Sequence, residues 1–286
     1  MNQARAFTIL AESVLALYPI AVKNIDVNFI TQLVARLGTF GGLAYSLAGP
    51  ADKAEALNPS NIPYNVLNLV HIAASYGSYT LLPAGNALAL FYTYPFWTTL
   101  LGWLVLGEPF KWSVVALLAV AAYGTWLVAQ HSNVEGYEDN ATQTHDQNTS
   151  YGVFLALLSA ITETLIYLIA KSPANPTAFS TILQLYPYGA VATLAYGLYQ
   201  KNLSTNIATG WLPLILFNAF IGFIGYAIRF YAIPFLTAST FSILSFVGVA
   251  SAFFWQLLFT KDKPEPLALV GSALIAGTVG IHSLFS

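Results

Sequence analysis

Apolar residues in this chain come in long unbroken runs, and the alternating apolar and polar positions of about 10 residues that mark membrane β-strands are missing. Proline, glycine, asparagine and charge punctuate the runs. The pattern predicts ten helices, at about residues 4–22, 27–48, 63–82, 86–106, 111–130, 151–170, 177–199, 211–234, 238–260 and 266–284. The one long polar tract, "HSNVEGYEDNATQTHDQNTS" (131–150), divides them five and five.

That division predicts an internal repeat: residues 1–130, a polar linker loop at 131–150, and residues 151–286. The segment from Leu82, "LPAGNALALFYTYPFWTTLLGWLVLGEPFKWSVVALLAVAAYGTWLVA", aligns without a gap on the one from Leu236, "LTASTFSILSFVGVASAFFWQLLFTKDKPEPLALVGSALIAGTVGIHS". Each has an acidic turn, at Glu108 and Asp262. Five helices per half is an odd number, so the second half runs through a membrane in the opposite sense to the first. Inverted repeats of this kind place a substrate site near the midplane. The expected fold is an all-α membrane protein of ten transmembrane helices in two inverted five-helix repeats.

Composition agrees with that reading. Hydrophobic residues make up 57% of the chain and charged residues 8%, with a mean hydropathy of +0.64, too few polar side chains to cover a water-facing globule. The net charge of −2 and the lack of a basic cluster exclude nucleic acid as a partner, and the lack of cysteine excludes thiolate chemistry. Lysine and arginine divide evenly between the two sides, so the positive-inside rule does not choose an orientation. The sequons at Asn140, Asn148 and Asn202 all fall outside when both termini are cytoplasmic, and that topology is adopted.

Two glutamates interrupt apolar runs, Glu12 in "ILAESVLALYPIAVK" and Glu163 in "AITETLIYLIAK", and each run closes on one lysine, Lys23 or Lys171. Ionisable groups in such places mark transport pathways or buried pairs. A carboxylate that can hold either a proton or a cation is by itself an exchange device, and Glu163 and Glu12 are the candidates for proton coupling or cation binding. The alternative is a packing role, with Arg36 as the expected partner of Glu12 and Arg229 as that of Glu163. Polar residues at three- and four-residue steps predict cavity-facing stripes. They are His71, Ser75, Ser78 and Tyr79 on the third helix, and Asn218, Gly222, Tyr226 and Arg229 on the eighth. Gln32 with Arg36, and Gln184 with Tyr188, give shorter stripes. Tyr92 and Trp97 flank Pro95, where a kink would open an aromatic wall suited to an organic cation. His71 is expected to be a neutral hydrogen-bonding residue before it is a proton relay, and His282 to be structural. The closing helices, rich in alanine and glycine ("GSALIAG", 271–277), are expected at the periphery, packed within the chain or in a homodimer contact.

"NALALFYTYPFWTTLLGWLVLGEPFKWSVVALLAVAAYGTWLVA" and "LVARLGTFGGLAYSL" resemble the drug/metabolite transporter superfamily in its ten-helix EamA-like form. The second half departs from it, with "FTKDKPEP" in place of a Gly-Glu turn and no arginine in the seventh helix. The two glutamate-containing segments resemble the first helix of the small multidrug resistance transporters, where a membrane glutamate exchanges protons for organic cations. Glu163 precedes its lysine by eight residues, the spacing associated with that helix, and Glu12 by eleven. The resemblance implies a multi-pass carrier in the lipid bilayer that binds a small-molecule substrate, with protons as coupling ion and no cofactor.

Other classes fit less well. No aspartate falls inside a predicted span, and no H-E-x-x-H, G-x-S-x-G or P-loop motif occurs, so an enzyme is not expected. Sugar-phosphate or nucleotide-sugar antiport is the second choice among carriers, because a phosphate requires clustered Lys and Arg and only Arg36 and Arg229 lie well inside helices. A channel or a non-transporting membrane scaffold is the remaining alternative.

Overall fold

The computed structural model describes residues 2–18, 20–21, 25, 27–82, 84–131, 145–172, 177–259 and 265–285, and among these all regular structure is helical. The first half comprises α1 (Asn2–Leu15), α2 (Phe29–Leu47), the short α3 (Pro50–Ala56), α4 (Ile62–Leu81), α5 (Ala84–Phe91), α6 (Tyr94–Leu106) and α7 (Trp112–His131). The second comprises α8 (His145–Ala170), α9 (Ala178–Leu185), α10 (Pro187–Tyr199), α11 (Leu212–Phe217), α12 (Ile224–Ala232), α13 (Ala238–Ser245), α14 (Val247–Phe259) and α15 (Pro266–Phe285). Helix α8 begins inside the tract expected to be linker.

Six stretches are long and apolar enough to cross a membrane: Asn86–Leu106, Trp112–Gln130, Asn148–Ala170, Ile207–Phe235, Ala238–Phe259 and Pro266–Phe285. The four predicted spans outside this set are shortened by helix breaks or diluted by polar residues. Helix α1 ends at Leu15, and the sequence has proline, which lacks the N–H that would continue the helix, four residues later at position 19. The predicted seventh helix is divided into α9 and α10 at Tyr186, just before Pro187. Helices α2 and α4 bury Gln32, Arg36, Asn65, Asn68 and His71.

A helix broken inside a bundle leaves backbone groups that need partners. At the α9/α10 break they come from α4. The Asn65 amide donates to the Gln184 carbonyl (2.7 Å), its Oδ1 accepts from the Tyr188 N–H (3.0 Å), and the Asn68 amide donates to the Leu185 carbonyl (3.1 Å). Asn65→Leu is therefore expected to lower stability by about 1–3 kcal/mol, the cost of stranding buried polar groups. Thermal unfolding in detergent measures it, and an unchanged midpoint would mean that water replaces the amide.

The packing has a regular plan. Helix α4 lies against α8, and α1 against α12; α2 packs on α9 and α10, α6 on α13, and α7 on α15. Helices α5 and α6 lie against α8, as α13 and α14 lie against α1. The α7/α15 contact is close because Gly124 and Gly271 face each other: a Cβ on Gly124 would stand 2.7 Å from the Gly271 carbonyl oxygen. This part of the "GSALIAG" face is thus used within the chain.

One end of the bundle is tied by charge. The Lys171 ammonium lies 3.5 Å from Glu108 Oε1 and donates to the Leu236 carbonyl, while Glu108 Oε2 accepts from the Ala238 N–H (2.6 Å) at the start of α13. The lysine that closes the second glutamate-bearing run therefore joins three connections. Lys23, its expected counterpart, lies outside the described residues.

Candidate functional site

The breaks converge on the buried centre. Tyr18 follows the end of α1, Tyr94 opens α6 after the α5/α6 break, and Tyr186 separates α9 from α10. Just before α12, Asn218–Phe223 is π-helical, a local widening often found at functional sites. In it Asn218 Oδ1 accepts from the Tyr18 hydroxyl at 2.8 Å. Gly222 makes room for that hydroxyl, since a Cβ there would overlap it; Gly248 does the same for Tyr92.

Five helices bring one ionisable side chain each to this centre, every one at most 4% exposed: Glu12 from α1, Arg36 from α2, His71 from α4, Glu163 from α8 and Arg229 from α12. Arg229 holds both carboxylates. Its Nη2 lies 2.5 Å from Glu163 Oε1 and its Nε 3.1 Å from Glu12 Oε1. The expected pairing of Glu12 with Arg36 is thus corrected, because α1 packs on α12 and carries Glu12 to Arg229. The expected Glu163–Arg229 pair is present.

His71 extends the cluster. Its Nδ1 lies 3.1 Å from the Ser159 carbonyl oxygen, and its Nε2 lies 3.2 Å from Glu163 Oε2. A carbonyl can only accept, so Nδ1 carries a hydrogen, and in the neutral ring Nε2 then presents a lone pair. That lone pair faces a carboxylate oxygen. The contact, which lacks hydrogen-bond alignment, becomes attractive when either Nε2 or Oε2 carries a proton.

Arg36 has a different environment. Its guanidinium carbon lies over the rings of Tyr18 (4.5 Å), Tyr226 (5.1 Å), Phe40 (5.5 Å) and Tyr76 (5.5 Å). Nη1 reaches the Tyr76 hydroxyl at 3.4 Å, while Nε and Nη2 are buried without a hydrogen-bond partner. Cation–π contact takes the place of a counter-charge.

A cavity of about 60 Å³ lies among these groups. Of the sequence-predicted residues, Glu12, Arg36, His71, Ser75, Tyr79, Tyr92, Tyr226 and Arg229 line it. Glu163 stands behind Arg229 and His71 and does not. Asn218 adjoins through Tyr18. Ser78 turns back on its own helix, donating to the Ser75 carbonyl (2.8 Å), and four more are elsewhere. Gln32 donates to the Val27 carbonyl (3.3 Å), Trp97 is 43% exposed, Gln184 is half-buried, and the Tyr188 hydroxyl donates to the Leu57 carbonyl (2.6 Å). Trp97 points away because five helical residues from Tyr92, with a break between, carry it to another face. Gln184 and Tyr188 flank the α9/α10 break, where their backbone groups are the ones engaged. Tyr18, Tyr76 and Tyr94 belong to the site although the polar stripes did not include them. For Tyr18 and Tyr94 the signal is the Tyr-Pro pair, at 18–19 and 94–95 and again at 186–187, which sets a tyrosine at a helix break; Tyr76, inside α4, has no such mark.

Broken apolar helices enclosing a charged, occluded centre define the chain as an integral, multi-pass helical membrane protein. No protein-family model matches it. A Streptantibioticus cattleyicolor protein described as a probable terminal-alkyne amino-acid exporter is 28% identical over 204 residues, 70% of this chain and 65% of that protein, just under two thirds of its length. A solved structure, described only as the crystal structure of a protein, superposes with a TM-score of 0.76 over 99% of both chains at 15% identity, a likeness of fold alone.

Proposed function

We propose that this protein is a secondary active transporter of the drug/metabolite transporter type, EamA-like, which moves a small organic solute, amino acid-like or cationic, in exchange for protons. The observation that carries the reading is the buried chain Glu12–Arg229–Glu163–His71 beside a central cavity at which helices break. Discontinuous helices supply site groups in carriers built from repeats. Each carboxylate has two claimants, a proton and a cationic partner, and the competition between them couples the two fluxes.

The helix pairing supports two repeats of five helices. Numbering the ten predicted helices in order and adding five to each member of a pair returns another observed pair: third with sixth becomes eighth with first, and fourth with sixth becomes ninth with first. Ties between connections support alternating crossings. Glu108 meets Lys171, and Asn28 donates to Asn202, each joining connections that this topology puts on one side. In the same topology both termini are cytoplasmic. A cavity of about 60 Å³ is small beside ordinary ligand pockets, which start near ~300 Å³, so the form described is closed around its centre and the solute enters when the halves part.

The name of the Streptantibioticus relative supports the amino-acid arm of this reading and an outward direction. Phosphorylated substrates are disfavoured because two carboxylates already occupy Arg229.

The test is exchange in proteoliposomes under an imposed pH gradient, with labelled neutral amino acids and organic amines. A carrier gives saturable, gradient-driven accumulation that a protonophore collapses. Flux without saturation would identify a channel, and no flux a scaffold.

A further inference from the structure

We propose that Arg36 is the anchor for a carboxylate group, and that the solute is an α-amino acid with an uncharged side chain, held by its carboxylate at Arg36 and its ammonium at Glu12. The inference rests on the transport reading and narrows it to one substrate class. The pairing within the centre supports it. Glu12 and Glu163 both lie against Arg229, whereas Arg36 has no carboxylate in ion-pair contact among the described residues. It is 3% exposed, it borders the cavity, and two of its nitrogens are buried without a hydrogen-bond partner. A buried guanidinium with unused donors is matched by a carboxylate, which can take two of them at once. Aromatic faces hold the cation in the closed form and leave Nε and Nη2 without a hydrogen-bond partner.

Glu12 supplies the other pole. It borders the same cavity, and its Oε1 lies near Arg229 Nε without the alignment of a hydrogen bond, so it can accept from an ammonium while Arg229 remains bound to Glu163. Tyr226 stands between the two arginines, 5.1 Å from the Arg36 guanidinium carbon and 5.7 Å from that of Arg229. It separates the carboxylate pole from the Glu12–Arg229 pole. The rest of the wall includes Leu15, Leu88 and Phe91, which suit an uncharged side chain and offer a second charge no partner. A simple organic cation would leave Arg36 unpaired.

The test measures binding to the purified full-length protein by calorimetry. The twenty common L-amino acids and an α-amino acid with a terminal alkyne are screened, and the tightest binder is compared with its methyl ester and its decarboxylated amine. The wild-type protein is expected to bind the free amino acid about 10- to 100-fold more tightly than either derivative, the range for hydrogen bonds to a charged group. Arg36→Gln is expected to reduce that preference to within about threefold, and Arg36→Lys to retain part of it. The wild-type comparison stands if neither variant folds. Equal binding of ester, amine and amino acid, a preference that survives in Arg36→Gln, or no binding by any amino acid overturns the assignment. The transport reading fails separately: a carboxylate-selective binder that is never exchanged sinks that reading alone, whereas gradient-driven exchange of amine and ester as fast as the amino acid sinks only the Arg36 anchor.

Discussion

Arg229→Met is expected to cost about 3–5 kcal/mol, among the largest losses available to a single substitution in this protein, because it strands buried charge. Arg229 is the only cation in ion-pair contact with Glu12 among the described residues, and with His71 it is one of two holding Glu163. Without it two carboxylates face each other in a 4%-exposed interior, and both must take up protons or draw in water. The loss belongs to the unpaired acids more than to the arginine, which gives the prediction a second arm. The triple variant Glu12→Gln, Glu163→Gln, Arg229→Met is expected to recover most of the stability, since replacing a whole buried ionic cluster is often neutral or better. Thermal unfolding in detergent, followed by the monodisperse fraction, reads both arms. A triple variant as unstable as the single one would show that Arg229 acts through packing, for instance through its contact with the Phe241 ring, 5.1 Å away.

The sequence made the members of the centre visible and left its wiring hidden. Glu12, Glu163, Arg36, His71 and Arg229 stand out in apolar runs because each is costly there, and all five meet. Which acid meets which base depends on the neighbour each helix chooses, and apolar runs carry almost no information on that. Helix α1 packs on α12, so Glu12 reaches Arg229 and Arg36 is left to tyrosines. The stripes reach the cavity through His71, Ser75 and Tyr79 on α4 and through Tyr226 and Arg229 on α12, where the helix is regular between those residues, and miss it at Gln184 and Tyr188, where a break intervenes. The same breaks were legible in another form, as three Tyr-Pro pairs, because proline forbids the hydrogen bond that would carry the helix through. The polar side chains of Asn65 and Asn68 serve one of those breaks, that between α9 and α10. Polarity inside a membrane helix thus takes two forms here, charges gathered at the centre and amides for interrupted backbone, and only the packing separates them.

Glu163→Gln is expected to abolish gradient-driven accumulation, down to the level of empty liposomes, while one-for-one exchange of solute across the same membrane continues. Glutamine keeps the length of the side chain. Its amide oxygen can still accept from Arg229 Nη2, and its amide nitrogen can donate to the lone pair on His71 Nε2, which in the native site needs a proton from elsewhere. The cluster therefore stays satisfied without any exchangeable proton between Nε2 and the acid. Solute binding is retained because Glu163 does not border the cavity, whereas Glu12, which does, should lose both accumulation and exchange when changed to glutamine. The pair of variants separates coupling from binding, measured in one assay by loading liposomes with solute or with an acid buffer. Accumulation that persists in Glu163→Gln would move the proton to Glu12, and loss of exchange in that variant would make Glu163 a binding group reached only in the open form.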